Sequence, residues 1–346
     1  MANIFEFKNK KYGVVSLGEV MMRFSPPTNE MIVQGDIFEK QIGGSELNVI
    51  AGIESLGKRS AIITKIPDNE LGRFVKRQVR SHGVSDDYLI YDNSNEKRLG
   101  IYYYEYGAHP RKPRVIYDRK HSSFTTLNFS EVPEEVFEEA EIFHLSGVTL
   151  GLSEDIRNLS MDLIKKFKEK GALISFDVNF RATLWTEEEA REAIEKILPY
   201  VDILFASEET FRKMFKMEGS LRDIQRNFAK KYDIEVIGTT QRNVVSPKKH
   251  DFSSVVYQKN RDCFFSEEPY LQIDVIDRIG SGDAYLSGAL FGILKYNDLE
   301  KAMEYGNAMS VLKNTILGDL CSVDLSMVEN IIKEHKNKGS YAELSR

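Results

Sequence analysis

Short apolar runs alternate with longer amphipathic stretches along most of the chain, and each kind of run has its own period. Gly13–Leu17, Ala61–Thr64, Glu141–Leu145, Ala172–Phe176, Asp202–Phe205 and Ile234–Ile237 are brief, rich in β-branched and aromatic residues and bounded by turn formers, the pattern of buried strands. Between them apolar residues recur at helical spacing. Leu47, Ile50, Ile53 and Leu56 share one face behind Ser45 as N-cap, and Gly57 ends that helix. Further helices are expected from Asp68 to about His82, from Glu154, from Glu187, over 221–231, and from Asp283, Leu299 and Asp324. This alternation predicts an α/β fold: a mostly parallel central sheet covered by helices on both faces, with ligands outside the carboxyl ends of its strands.

The rhythm breaks early in the chain. Glu19–Phe24 alternates roughly until Pro26-Pro27 stops it. Leu99–Tyr106 and Arg114–Asp118, joined by Gly107-Ala108-His109-Pro110, read as an antiparallel hairpin. Together, segments near 20–40 and 99–118 predict a small β-sheet lid on one domain spanning residues 1–346. One lid face is available for a substrate and the other for a second copy of the chain, which predicts a homo-oligomer through the lid. Two further short strands are expected near Val255 and Phe264.

Composition narrows the partners. A hydrophobic content of 42% in 346 residues supplies an ordinary core. No apolar run approaches the ~18 residues of a membrane span, and the start of the chain lacks the apolar block of a signal peptide, so a cytoplasmic protein is expected. A net charge of -6 argues against nucleic acid and membrane surfaces as partners. The two cysteines, Cys263 and Cys321, have no ligand-like spacing and read as plain thiols.

Chemistry concentrates at Asp277-Arg278-Ile279-Gly280-Ser281-Gly282-Asp283, which runs into the small apolar helix Ala284–Phe291. Gly280, Ser281 and Gly282 allow a tight turn whose N–H groups, at the positive end of a helix, can hold a phosphate or a phosphoryl group in transfer. Asp283 beside that hole is placed to take the proton of an attacking hydroxyl. The loop lacks the Gly-Lys-Ser/Thr ending of a Walker A motif. Asp177, Asn179 and Arg181 emerge from the end of a buried strand, where a cleft is expected.

The loop resembles the C-terminal signature of the ribokinase-like (PfkB) sugar kinases, Asp-Thr-x-Gly-Ala-Gly-Asp, with Arg278 and Ser281 replacing Thr and Ala. The Asp-Arg-x-Gly form is that of the branch acting on 2-keto-3-deoxygluconate. Gly43-Gly44 with Asn48 resembles the family's N-terminal Gly-Gly-x-x-x-Asn element, and Asp177–Arg181 its Asp-Val-Asn-x-Arg element. The resemblance implies an ATP- and Mg²⁺-dependent kinase of an acid sugar, with Asp283 as base and Gly280–Gly282 as anion hole. It assigns the sugar to Gly44, Asn48, Tyr102, Tyr117, Arg119 and Arg181, and the nucleotide to Thr239, Arg242, Gly280, Gly282, Asn307 and Asn314. Where the family carries Asn-x-x-Glu this chain has Ser207 and Thr210, which leaves Glu208 or Glu209 to serve the metal through water. Lys313–Asp319 resembles a Lys-His-Thr-x-x-Gly-Asp element with Asn314 for His, and a monovalent cation near Asp277 stays open. So do two alternatives, a kinase of a neutral sugar or nucleoside and a non-catalytic sugar- or nucleotide-binding regulator.

Overall fold

Alternate residues of the first strand feed two different cores, and this fixes the layers. Val15 and Leu17 pack with Phe143, Phe167 and Phe176 on one side, while Val14 packs with Ile50, Ile62 and Leu290 on the other. A strand buried on both faces needs helices above and below it. The computed structural model describes residues 3–27, 30–94, 96–246 and 248–337. Residues 28 and 29 of the expected lid segment lie outside them.

In chain order the strands are Tyr12–Leu17 (β1), Met21–Ser25 (β2), Glu39–Gly43 (β3), Ser60–Pro67 (β4), Leu89–Asp92 (β5), Ile101–Glu105 (β6) and Arg114–Asp118 (β7). They continue as Ala140–Ser146 (β8), Leu173–Asp177 (β9), Ile203–Phe205 (β10), Val236–Ser246 (β11), Lys249–Gln258 (β12), Cys263–Ser266 (β13) and Tyr270–Asp274 (β14). The main sheet runs β13-β12-β11-β10-β9-β8-β1-β4-β5, with β14 also paired to β12. From β11 to β5 every pairing is parallel, and β12 to β14 add antiparallel partners. Strand order reverses between β1 and β8, so a crevice opens outside their carboxyl ends. The small sheet β3-β2-β6-β7 stands over that crevice. Its central pairing, β2 on β6, is parallel, which the hairpin expectation did not include.

The sequence pattern misplaced one region. β11 was expected to end at Ile237, yet it continues to Ser246 against a ten-residue β12, and β14 was not expected. Residues 241–245 are exposed, because this part of the hairpin projects from the covered sheet and has no buried face to impose an alternating pattern. Helix starts moved by one or two residues: Asn69 rather than Asp68 caps Glu70–Ser81, and Gly44 rather than Ser45 precedes Ser45–Ser55. No helix among the described residues is long and apolar enough to cross a membrane.

Candidate active site

Two adjoining cavities occupy the crevice, one of about 580 Å³ beneath the small sheet and one of about 330 Å³ along the ends of β9, β10 and β11. Asp177, Asn179, Arg181 and Gly282 line both. The helix Ser281–Tyr296 begins at their junction, with Gly280 as its N-cap at φ 79°. That left-handed conformation favours glycine, and a Cβ there would also lie 2.0 Å from the Asp319 carbonyl oxygen. The Ser281 N–H turns back to the Arg278 carbonyl at 3.2 Å, whereas those of Gly282 and Asp283 have no acceptor among the described residues. The Gly280 N–H likewise has no acceptor among the described residues, so of the loop N–H groups from 280 to 283 only that of Ser281 is taken. A Cβ on Gly282 would meet nothing within 4 Å, so this glycine faces open cleft.

Asp283 is held from the helix Ser45–Ser55. Asn48 Nδ2 donates to its Oδ2 at 2.7 Å and Ser45 Oγ to its Oδ1 at 3.2 Å, while Asn179 Nδ2 donates to Ser45 Oγ at 2.8 Å. Burial pushes the Asp283 carboxyl up to about 6, against the pull of the Asn48 hydrogen bond and the Arg181 charge. Burial, then the charge of Asp283, pushes Asp177 up to about 7. A carboxylate raised toward neutrality is a stronger base for a hydroxyl proton than an ordinary aspartate. Asn48, assigned above to the sugar, directs its donor to Asp283, and its Oδ1 has no partner among the described residues.

The lid is tied to the anion loop by a buried charge cluster. Arg23, 0% exposed on β2, donates to Asp319 Oδ1 at 2.6 Å, Asp277 Oδ2 at 2.7 Å, Ser25 Oγ at 2.9 Å and the Tyr106 hydroxyl at 3.0 Å. Its guanidinium lies 4.4 Å from the Tyr104 ring centre, within cation–π range. Tyr102 donates to Asp319 Oδ2 at 2.5 Å. A Cβ on Gly43 would come within 2.4 Å of Asp319 Oδ2, so the glycine pair lets β3 end against this cluster. Asp277 in turn accepts from the N–H groups of Ile279 and Gly318, at 3.0 and 3.1 Å, which shapes the loop.

Among the expected sugar ligands, Gly44, Asn48, Tyr102, Tyr117, Arg119 and Arg181 all line the larger cavity. Arg119 is already paired: its Nε donates to Glu19 Oε2 at 2.8 Å, and Asp118 is taken by Arg98. Among the described residues Arg181 has no ion pair, and its Nη1 donates to the Phe180 carbonyl at 3.1 Å. Arg242 and Arg278, also on the larger cavity, have none either among the described residues. Desolvation, then the charge of Arg278, lowers the pKa of Arg242. Guanidinium groups left unpaired toward one cavity make it a site for anions.

The nucleotide assignments fare differently. Thr239 is fully buried and its Oγ1 accepts from Gln225 Nε2 at 3.1 Å, while its neighbour Thr240 lines the smaller cavity. Because the strand continues through these residues, neighbours point to opposite faces. Arg242 falls on the larger cavity. Asn307 is buried against Glu267 at 2.6 Å, and Asn314 donates to the Ser310 carbonyl at 2.8 Å; neither reaches a cavity. The Asn314 carbonyl instead accepts the N–H of Ile276 and Asp277, at 2.8 and 3.2 Å. Glu208 pairs with Arg212 at 2.5 Å and lines neither cavity. Glu209 lines the smaller one while paired with Lys213 at 2.5 Å. The described residues hold no cluster of three or more potential metal ligands. Glu19, Arg23, Ser45, Arg278 and Asp319 were not assigned to the site from sequence. A lone arginine between Met22 and Phe24 in β2 was the one signal for Arg23.

Residues 11–318 match the model for pfkB family carbohydrate kinases. A 2-dehydro-3-deoxygalactonokinase of Haloferax volcanii is 34% identical over 320 residues, 92% of this chain and 96% of that protein. The crystal structure of a 2-dehydro-3-deoxygluconokinase from Thermotoga maritima superposes with a TM-score of 0.88 at 33% identity, covering 92% of this chain and 99% of that one. A 5-dehydro-2-deoxygluconokinase of Clostridium botulinum is 26% identical over 97% of both chains. With a parallel sheet, a lid across its topological switch and an anion loop ending in a buried aspartate, the chain belongs to the pfkB family of carbohydrate kinases.

Proposed function

We propose that the protein transfers the γ-phosphoryl group of ATP to the terminal, 6-hydroxyl of 2-keto-3-deoxygluconate (2-dehydro-3-deoxygluconate), giving the 6-phosphate and ADP. The observation that carries an acid sugar is the set of unpaired guanidinium groups, Arg181, Arg242 and Arg278, on the cavity that also holds Asp283. A neutral polyol gains little from them, whereas a carboxylate accepts paired, charge-assisted hydrogen bonds. The sugar lies under Tyr102 and Tyr117 with its hydroxyl at Asp283, and the nucleotide phosphates approach Gly282 from the smaller cavity. The hydroxyl oxygen bonds to the γ-phosphorus as the bond from phosphorus to the ADP oxygen breaks, and Asp283 takes the hydroxyl proton. The N–H groups of Gly282 and Asp283 meet the charge on the phosphoryl oxygens. Magnesium needs only one or two carboxylates beside the phosphates and water, and Glu209 fits as a water-mediated ligand. Bound there it would neutralise phosphate charge.

The galactonate epimer is the second reading, favoured by the similarity to the 2-dehydro-3-deoxygalactonokinase of Haloferax volcanii. We also assign self-association to the outer lid, where edge strand β7 turns Ile116, 51% exposed, away from the cavity that Val115 and Tyr117 line.

The test is ATP turnover with both 2-keto-3-deoxy acids, fructose and ribose. The acids are expected to dominate, and Arg181→Leu to lower their kcat/KM by about 30-fold to several thousand-fold, from about 2–5 kcal/mol for one partner of a charge pair that the bound acid would bury. Arg119→Leu is expected to act in the same direction but less, since Glu19 holds that guanidinium already. Equal use of fructose and the acids by the wild type would overturn the acid-sugar reading while leaving the role of Asp283 intact.

A further inference from the structure

One charged side chain beside the anion loop has no part in the chemistry above. Lys313, in the last turn of the helix Leu299–Asn314, is 0% exposed. Its Nζ donates to the carbonyl oxygens of Asp277 at 3.1 Å and Ile316 at 3.0 Å, and no carboxylate of the described residues lies within ion-pair distance. An exposed lysine at a helix C-terminus contributes a few tenths to about 1 kcal/mol. Removing an ammonium from water costs several kcal/mol. Helix capping alone therefore does not account for a fully buried one, and a methionine of similar length would fill the space without that cost.

What the ammonium touches supplies the reason. Asp277 starts the anion loop, and its side chain already takes Arg23, Ile279 and Gly318. Lys313 fixes the main-chain carbonyl of the same residue and joins it to the 316–319 turn, whose Asp319 carbonyl packs against Gly280. Charge leads to the same place. Asp277 and Asp319 lie buried behind a loop that must receive a phosphoryl group, and Arg23 offsets only one of them. With Lys313 the cluster is neutral, so an incoming phosphate meets the loop N–H groups without a net negative field behind them.

We propose that Lys313 is a positioning residue whose ammonium serves as a built-in monovalent cation for the anion loop, so that turnover needs no free potassium or ammonium ion. This rests on the reading of the loop as the phosphoryl-holding element.

The test compares wild type, Lys313→Ala and Lys313→Met in potassium, ammonium and tetramethylammonium chloride at equal ionic strength, with saturating ATP, magnesium and acid sugar. Wild-type kcat is expected to be the same in all three salts. Lys313→Ala, which leaves a hole lined by carbonyl oxygens, is expected to lose about 10²-fold in kcat, the scale of a small misplacement at a reacting group. Its KM for ATP should change far less. Potassium or ammonium, but not tetramethylammonium, should restore tenfold or more of that loss and raise its Tm. Lys313→Met, with the hole filled, should stay impaired in every salt. A wild type that potassium accelerates several-fold overturns the inference, and that measurement stands even if the alanine variant does not fold. Full kcat in Lys313→Ala, a loss that no salt restores, or equal rescue of Lys313→Met does the same. A wild type with no kinase turnover overturns the reading of the site and this inference with it, whereas an active wild type with an unaffected alanine variant overturns the inference alone.

Discussion

Asp283→Asn is expected to lower kcat by about 10²–10⁴-fold, the usual range for loss of a general base, with ATP affinity nearly unchanged. Asparagine keeps the size and can still bond Ser45, so the helix start and the free N–H groups persist. Near-normal kcat in a folded Asp283→Asn protein would remove this residue from the reaction. The pH profile supplies an independent check. Asp283 must be ionised to accept a proton, so kcat/KM should rise with pH through about 6 and this limb should vanish in the asparagine variant. Stability runs the other way. Both Asp283 and Asp177 have folded-state values above those of an unfolded chain, so their contribution is full at acid pH and is lost as pH rises through about 6 and about 7. A kcat/KM that falls over pH 5–7 as stability falls would mean that the protonated carboxyl is the active form.

Arg23→Met is expected to destabilise the protein by about 3–5 kcal/mol, because Asp277 and Asp319 stay buried with their common partner gone. The carboxylates of both hold the guanidinium charged despite its burial, so the pair geometry, not exposure, maintains the cluster. Denaturant unfolding at pH 7 measures the loss, and adding Asp319→Asn to the variant should recover part of it by removing one stranded charge. Turnover should fall as well, since the same contacts join the lid to the anion loop. A loss below about 1 kcal/mol, the worth of an exposed pair, would show that water reaches the cluster and that the lid is anchored otherwise.

The anion loop was legible because its chemistry is local. Gly280 needs its unusual φ and Asp283 its place in the first turn whatever surrounds them, and both requirements appear within seven consecutive residues. The parallel core was legible for a related reason, since β1, β8 and β9 are mostly buried on both faces and are rich in apolar residues without a two-residue alternation. The β11–β12 ribbon was not, because a strand exposed on both faces has no period to read. Thr239 and Thr240 show what that costs. Without knowing that the strand ran on, the sequence placed the wrong one of two neighbours at the cleft.

By itself, then, the sequence determined the layers, the small sheet and the glycine loop that ends in Asp283, since each follows from periodicity or from a short motif with its own backbone demand. Only the tertiary structure decided how charges pair. Arg119 faces Glu19, a hundred positions away, and not its neighbour Asp118; Arg23 reaches Asp277 and Asp319 across 254 and 296 positions; Arg181 is left without a carboxylate beside Asp177. Ion pairing is chosen by distance and burial in space, to which spacing along the chain gives no guide unless both partners lie on one element.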